Sequence, residues 1–237
     1  MIALVKFLIV LCFLLYACVL DIRERIVPNR VWKYMLLASL PFTALELTSA
    51  DISVLALSVV TSALTAVLAY AIYLIGAYGG ADAKAIMCLA AIFPVYPSFW
   101  IFPLLGYGFS FAFATLANAV VAAPVLMMLM FVRNVAKEGF ANFRRYPLYY
   151  FVGYRVRVTE IPKFHNLLEV VENGKLKRLR RGLEPTEEHI GDLKRAGIEM
   201  VWVTPALPFV VFITAGYVAA FFVGDLIFYA MLLVRSS

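Results

Sequence analysis

Charged residues are scarce in this chain of 237 residues: only 15% are Asp, Glu, Lys or Arg, whereas 64% are hydrophobic. A soluble domain of this length normally carries about a quarter charged and about half apolar residues. The mean hydropathy of +0.89 points the same way. The composition therefore excludes an ordinary soluble enzyme and predicts a polytopic α-helical membrane protein.

Cysteine and histidine are also few. The three cysteines (Cys12, Cys18 and Cys88) lie in apolar runs without a CxxC pair, which excludes a zinc ribbon and a disulfide framework. His165 and His189 lack the spacing of metal ligands, so we expect no metal site. The net charge of +6 does not predict nucleic-acid binding, because basic residues of membrane proteins mark the cytoplasmic face.

Apolar runs define the candidate membrane spans, since a crossing helix needs about 20 residues. Six runs qualify: 2–20, 31–48, 52–76, 84–97, 100–132 and 205–233. The fourth is short and is flanked by Pro94 and Pro97, while Pro103 and Pro124 predict bends or boundaries in the fifth. We therefore predict six transmembrane helices.

The placement of Lys and Arg predicts the orientation in the cell membrane. Basic residues follow the first span, occur at Lys84, and are most numerous in the stretch 133–204, which holds 14 basic and nine acidic residues. With six spans all of these fall on one side, and only Lys6 and Arg235 fall on the other. Because basic loops face the cytoplasm, we predict that this side is cytoplasmic.

Residues 134–204 predict a small soluble α+β insert between the membrane segments 1–133 and 205–237. Alternating polarity, turn residues and helix boundary signals indicate its elements. The first is a strand over Tyr154–Thr159, and the second is a hairpin of Leu167–Glu172 with Lys175–Leu179 around a type I′ turn at Asn173-Gly174. A helix follows from Pro185 to Ala196; it starts near Thr186 and is stopped by Gly197. The last element is a strand over Glu199–Val203.

Two acids stand at the edges of apolar runs. Asp21 ends the first span, in 20–29 (LDIRERIVPN), and Asp82 begins the fourth, in 79–84 (GGADAK). A carboxylate placed there loses hydration, which makes it a candidate functional group. Both span ends face the same side, so the two acids can meet. Two close carboxylates can share one proton, so that one activates water while the other polarises a carbonyl, which is aspartic-protease chemistry.

Simpler roles compete for each of these residues. Asp21 fits a solvated acid paired with a nearby arginine, and Asp82 fits a helix N-cap. Asp225 lies about 30 Å beyond the start of the last span, near the outer face, where packing or capping is the expected role. Gly79 and Gly80 permit positive φ and a close approach of substrate backbone.

Three segments resemble the prepilin-peptidase-like GxGD membrane aspartic proteases. They are 20–29, 79–84, and 202–205 (WVTP) followed by Gly224-Asp225. The archaeal branch, the preflagellin (archaellin) and class III prepilin peptidases, is the most similar. Ala81 departs from the family pattern, which usually has glycine at the third position of GxGD.

The resemblance implies roles for individual residues. Asp21 and Asp82 would form the catalytic pair, and the substrate-binding group would be Gly79, Gly80, Ala81 and Lys84. Lys84 fits a substrate contact and also a lysine that only sets the membrane orientation. No metal or organic cofactor is needed, because two carboxylates and one water molecule suffice.

The implied activity is removal of basic leader peptides from type IV prepilin-like or archaellin precursors at the cytoplasmic membrane face. The paired-cysteine loop of the bacterial enzymes is absent, so N-methylation of the product is not implied. Two alternatives remain for the same aspartates: a small ion or proton transporter, and a catalytically silent scaffold for pilus assembly. The sequence leaves the oligomeric state open.

Overall fold

The computed structural model describes residues 1–48, 51–105, 109–172 and 174–236. They form two compact units: a helical unit of residues 1–122 and 208–237, and a sheet unit of residues 123–207. The helices are α1 (Ile2–Glu24), α2 (Asn29–Leu47), α3 (Ile52–Leu74), α4 (Gly80–Ile92), α5 (Phe111–Glu138), α6 (Tyr149–Val152), α7 (Glu187–Arg195), α8 (Phe209–Phe222) and α9 (Leu226–Ser236).

Three helices, α1, α3 and α5, are long and apolar enough to cross a membrane. Helices α8 and α9 would add a fourth crossing if they form one span bent by 57°. Six spans are therefore not confirmed in the described part of the chain. The fourth predicted run contains α4, whose 13 residues measure about 20 Å, less than the hydrocarbon layer of about 30 Å.

Two predicted spans differ from the observed elements. The described part of 100–110 is not helical, and α5 begins only at Phe111. Pro124 neither ends nor divides α5, which continues to Glu138. The last run breaks at Gly224, which has φ +113°, a value that favours glycine.

The end of α1 follows from local chemistry. Arg25 adopts the left-handed conformation (φ 57°) and its N–H bonds the Asp21 carbonyl, closing the helix. Pro28 then stands at the N-cap of α2, where its fixed φ suits the start of a helix. The short 25–28 connection joins α1 to α2, and both helices pack on the apolar core of the helical unit.

The C-terminus of α4 is fixed by polar groups inside this core. The carbonyl of Ile92, the last helical residue, accepts hydrogen bonds from Lys6 Nζ at 2.9 Å and Thr43 Oγ1 at 2.7 Å. Lys6 is fully buried and forms an ion pair with Glu46 of α2. A cation at a helix C-terminus satisfies carbonyls that have no partner within the helix.

The break between α8 and α9 is also satisfied by hydrogen bonds. The N–H groups of Leu104 and Leu105 donate to the carbonyls of Phe222 and Val223, at 3.1 and 2.8 Å. Non-helical backbone within an apolar unit requires such partners. Helix α8 lies directly on α5 at Gly216, where a Cβ would come within 2.3 Å of the Thr115 carbonyl oxygen.

The sheet unit contains one antiparallel sheet of four strands in the order β1-β4-β2-β3. The strands are β1 (Tyr154–Arg157), β2 (His165–Glu172), β3 (Lys175–Leu183) and β4 (Met200–Pro205). The predicted hairpin is confirmed by the pairing of β2 with β3, but Asn173 of its predicted turn lies outside the described residues.

The other elements predicted for the insert are present with shifted bounds. The strand predicted over 154–159 ends at Arg157, because a 3-10 turn follows. Thr186 caps α7 by accepting the His189 N–H at 3.3 Å, and Gly197 (φ +67°) follows its end, as predicted. One face of the sheet contacts α7, and Trp202 of β4 lies in a separate aromatic cluster with Tyr149 and Tyr150.

Candidate active site

Asp21 lies in the last turn of α1 and is buried, with 8% of its surface exposed. The backbone N–H of Val210, in the first turn of α8, donates to its carboxylate, and the charge of Arg25 acts on it as well. The first N–H groups of a helix have no partner within the helix and favour an anion. One turn earlier, Cys18 Sγ lies 3.1 Å from Thr214 Oγ1, which fixes α1 against α8.

Asp82 lies in the first turn of α4 and is 7% exposed. Its Oδ2 accepts the backbone N–H of Gly79 at 2.9 Å, which forms half of a capping box. Asp82 thus lies in the first turn of a helix, as predicted, but it is the third helical residue, and the N-cap is Gly79. The remaining oxygen, Oδ1, accepts no hydrogen bond from the described residues and is available for other chemistry.

Neither Gly79 nor Gly80 adopts a positive φ, so backbone conformation does not explain why glycine stands there. Gly79 has φ −77° and ψ 162°, and neither Gly79 nor Gly80 lies in the left-handed region. The lack of a side chain matters instead, because a Cβ at position 79 would lie 3.2 Å from Asp82 Oδ2. At position 80 it would lie 3.4 Å from the Tyr73 ring, an ordinary contact.

Ala81 is the second residue of α4, half-buried against the core of the helical unit. Alanine has the highest helix propensity of all residues, so its methyl group is compatible with this position. The departure from the GxGD pattern therefore falls at a helical residue, and the residue next to the carboxylate oxygen is Gly79.

The structure brings the two predicted acids into one site. The Asp21 and Asp82 carboxylates are close enough for their charges to interact. Lys84 Nζ donates to Asn29 Oδ1 at 2.7 Å, which connects the segment 79–84 to the start of α2. Both sequence motifs therefore meet within the helical unit, although 61 residues separate the two acids.

Tyr78 is a site residue that the sequence motifs did not reveal. Its ring stacks on Phe209 of α8 at 6.0 Å, and its hydroxyl donates to the Ala69 carbonyl at 2.6 Å. It also interacts electrostatically with Asp82. Its place immediately before the two glycines is the signal that could have found it.

No cluster of three or more His, Cys, Asp or Glu side chains suited to a metal ion occurs in the described ranges. His165 Nε2 lies 2.7 Å from the Tyr154 hydroxyl, and His189 belongs to the cap of α7, so both histidines have structural contacts. Asp225 is buried and accepts the Phe228 N–H at 3.0 Å, which confirms its predicted capping role.

Two family models match this chain, one over its first half and one over its second half. Residues 8–132 match the model of the type IV leader peptidase family, and residues 145–226 match that of the archaeal peptidase A24 C-terminus, type II. The first match covers more than half of the chain and contains both aspartates. The chain belongs to the type IV leader peptidase family.

Individual relatives are named preflagellin peptidases. That of Methanocaldococcus jannaschii is 31% identical over 228 residues, which cover 93% of this chain and 94% of the relative. Those of Methanococcus voltae and Methanococcus maripaludis are 27% and 24% identical, and each comparison covers 90% of this chain and 92% of the relative. The likeness thus extends across both units.

Proposed function

We propose that this protein is a membrane aspartic endopeptidase that removes leader peptides from preflagellin-like precursors, with Asp21 and Asp82 as its catalytic residues. The observation that carries the proposal is the electrostatic interaction between two buried carboxylates, one at the end of α1 and one at the start of α4. Membership in a leader peptidase family and the names of the relatives support the reaction and the substrate class.

The proposed reaction divides two proton roles between the two acids. An ionised carboxylate takes a proton from a water molecule while the water oxygen attacks the scissile carbonyl carbon. A protonated carboxyl donates its proton to the carbonyl oxygen. When the tetrahedral intermediate breaks its C–N bond, a proton passes to the departing amine. Two carboxylates that lie side by side disfavour double ionisation, so the proposed reaction starts from a state in which the pair holds one proton.

The substrate would lie along the segment that precedes α4. Gly79 is exposed and has an extended conformation without a side chain, which leaves its backbone open to an extended peptide. Gly80 and Ala81 add little bulk beside it. Lys84 is exposed, and its contact with Asn29 holds the ammonium group near the site, where it can bind a carbonyl or carboxylate group of the substrate.

The proposal includes the orientation in the bilayer. We propose six crossings, the fourth of which consists of α4 and the non-helical chain after it. The basic residues of 133–204 and the motifs 20–29 and 79–84 then lie on the cytoplasmic side. A precursor would present its junction between a basic leader and an apolar helix at that face. Lipid and precursor are the expected partners.

Cleavage by purified protein tests the proposal. Wild-type protein in detergent is incubated with a preflagellin-like precursor, beside Asp21→Asn, Asp82→Asn and the control Asp51→Asn, which changes an exposed acid. We expect the first two variants to lose cleavage and the control to keep it. Normal cleavage by either of the first two would refute the catalytic pair, and ion flux in liposomes without any cleavage would favour a transporter.

A further inference from the structure

The sheet unit contains an amphipathic groove of about 740 Å³, a volume typical of ligand sites. Its walls are mainly apolar, and two arginines stand among them. The lining includes Leu148, Val152, Leu168, Leu179, Arg145 and Arg178. An apolar cavity with cations at its edge suits a ligand that joins an anionic group to a hydrocarbon chain.

The two arginines converge on a single ring. The guanidinium carbons of Arg145 and Arg178 lie 5.6 and 5.1 Å from the ring centroid of Tyr146. Arg178 also donates to the backbone carbonyl of Arg145 at 2.6 Å, which fixes their proximity. Among the described residues neither arginine forms an ion pair within 4.0 Å, although Arg178 interacts electrostatically with Glu169.

The groove belongs to a segment that packs on the end of a candidate membrane helix. Phe131, in the C-terminal half of α5, stacks on Phe151 at 4.7 Å and contacts Phe143 at 5.7 Å. The Tyr150 hydroxyl donates to Gly139, the residue that follows α5. Because α5 measures about 42 Å and the hydrocarbon layer about 30 Å, its last turns extend beyond that layer if it spans the membrane.

Aromatic and exposed apolar side chains surround the groove. Tyr146, Tyr149 and Trp202 contact one another next to it, and tyrosine and tryptophan are enriched where a membrane meets water. Leu148, which lines the groove, is 75% exposed, and this exposure is costly in water and favourable against lipid.

We propose that this groove binds an anionic membrane phospholipid, with the phosphate between Arg145 and Arg178 and a hydrocarbon chain along Leu148 and Val152. Positively charged side chains at the bilayer surface attract anionic headgroups, and a bidentate guanidinium suits phosphate. The site is separate from the aspartates, so the proposal does not depend on the peptidase reaction.

Lipid titration of the full-length protein tests the site. Delipidated protein in non-ionic detergent is titrated with phosphatidylglycerol or phosphatidylcholine, and bound lipids are counted by native mass spectrometry. We expect wild type to prefer phosphatidylglycerol and Arg145→Gln/Arg178→Gln to bind it about tenfold or more weakly. The control Arg157→Gln/Arg195→Gln removes the same charge from exposed positions of the same unit and should keep the preference.

Further variants separate the possible outcomes. The single variant Arg145→Gln keeps the backbone carbonyl that accepts the hydrogen bond from Arg178. If this variant binds phosphatidylglycerol more weakly but unfolds at the same temperature as wild type, the arginine side chain itself binds the lipid. Leu148→Ser should weaken lipid binding while leaving both arginines in place. An unchanged preference in Arg145→Gln/Arg178→Gln would overturn the proposal. The proposal would also be overturned if millimolar inorganic phosphate displaced all bound phosphatidylglycerol and Leu148→Ser bound the lipid normally. The site would then bind a small anion and not a lipid.

Discussion

Asp82 and Asp225 both stand at the start of a helix in the helical unit, and both are buried, yet their surroundings differ. Asp225 caps α9 through Phe228, and Asn118 bonds both the Gly224 carbonyl and the Leu226 N–H beside it. One carboxylate oxygen of Asp82 accepts the Gly79 N–H, and the Asp82 carboxylate interacts electrostatically with a second acid, Asp21. The surroundings of a buried acid, more than its burial, therefore distinguish a structural residue from a candidate for catalysis.

The largest expected effect is on Asp82. Asp82→Asn can still accept the Gly79 N–H but cannot exchange a proton, so we expect the rate of precursor cleavage to fall at least about 100-fold. Thermal unfolding in detergent should change little. Cleavage at the wild-type rate would place Asp82 with Asp225 among the structural acids.

A smaller effect is expected at Ala81. Ala81→Gly should keep the cleavage rate within about tenfold of wild type, about 1.4 kcal/mol of barrier. Ala81→Val should reduce the rate much more, because a β-branched side chain is larger and stiffer beside Asp82. Initial cleavage rates of both variants, measured at matched expression and thermal stability, check whether the valine variant is the slower one. A fully active valine variant would mean that this turn does not line the substrate site.

For Asp225 we expect a loss of stability and little loss of activity. Asp225→Ala removes the acceptor of the Phe228 N–H, which should destabilise the protein by about 1 kcal/mol. Asp225→Asn keeps an acceptor and serves as the matched control. Thermal unfolding and precursor cleavage are measured on both. Loss of cleavage in Asp225→Asn at unchanged stability would remove the contrast with Asp82.

The smallest effect concerns a fourth buried acid, Glu169 in β2, which accepts the backbone N–H of Trp202 at 3.1 Å. Burial raises the pKa of the Glu169 carboxyl above its ordinary value of 4.5. The folded protein therefore holds this proton more tightly than the unfolded chain, and its stability should fall as pH rises through the raised pKa.

Glu169→Gln cannot titrate, so it should remove this part of the pH dependence. Hydrogen–deuterium exchange of β2 and β4 at pH 5 and pH 8, corrected for intrinsic exchange rates, measures the effect. Identical pH profiles for wild type and variant would show that the carboxyl titrates alike in the folded and unfolded states.

Sequence patterns predicted the features that depend on local chemistry. Long apolar runs predicted α1 and α3, and turn residues predicted the β2–β3 hairpin and the boundaries of α7. The hydrogen bonds that close α4 were not predictable, because Lys6 and Thr43, which donate to its last carbonyl, lie far away in the sequence. The order of the four strands had no sequence signal either.

The same distinction applies to the candidate site. The motifs predicted Asp21 and Asp82 as site residues because each stands at the edge of an apolar run. They could not identify Val210, whose N–H reaches Asp21 from a helix that begins 188 residues later. Nor could they show that Gly79 is needed for space beside a carboxylate, since glycine in a turn predicts positive φ equally well.

The position of Ala81 has a consequence for how such enzymes diverge. Glycine and alanine codons differ by one base, so a lineage can exchange the third residue of the motif in a single step. The structure supplies room for that exchange, since Ala81 lies within a helix and its methyl packs on the core. At Gly79 a Cβ would lie 3.2 Å from Asp82 Oδ2, a tight contact that would force the carboxylate to shift. A search pattern that fixes glycine at the first position of the motif and admits any small residue at the third retains this chain, whereas strict GxGD discards it.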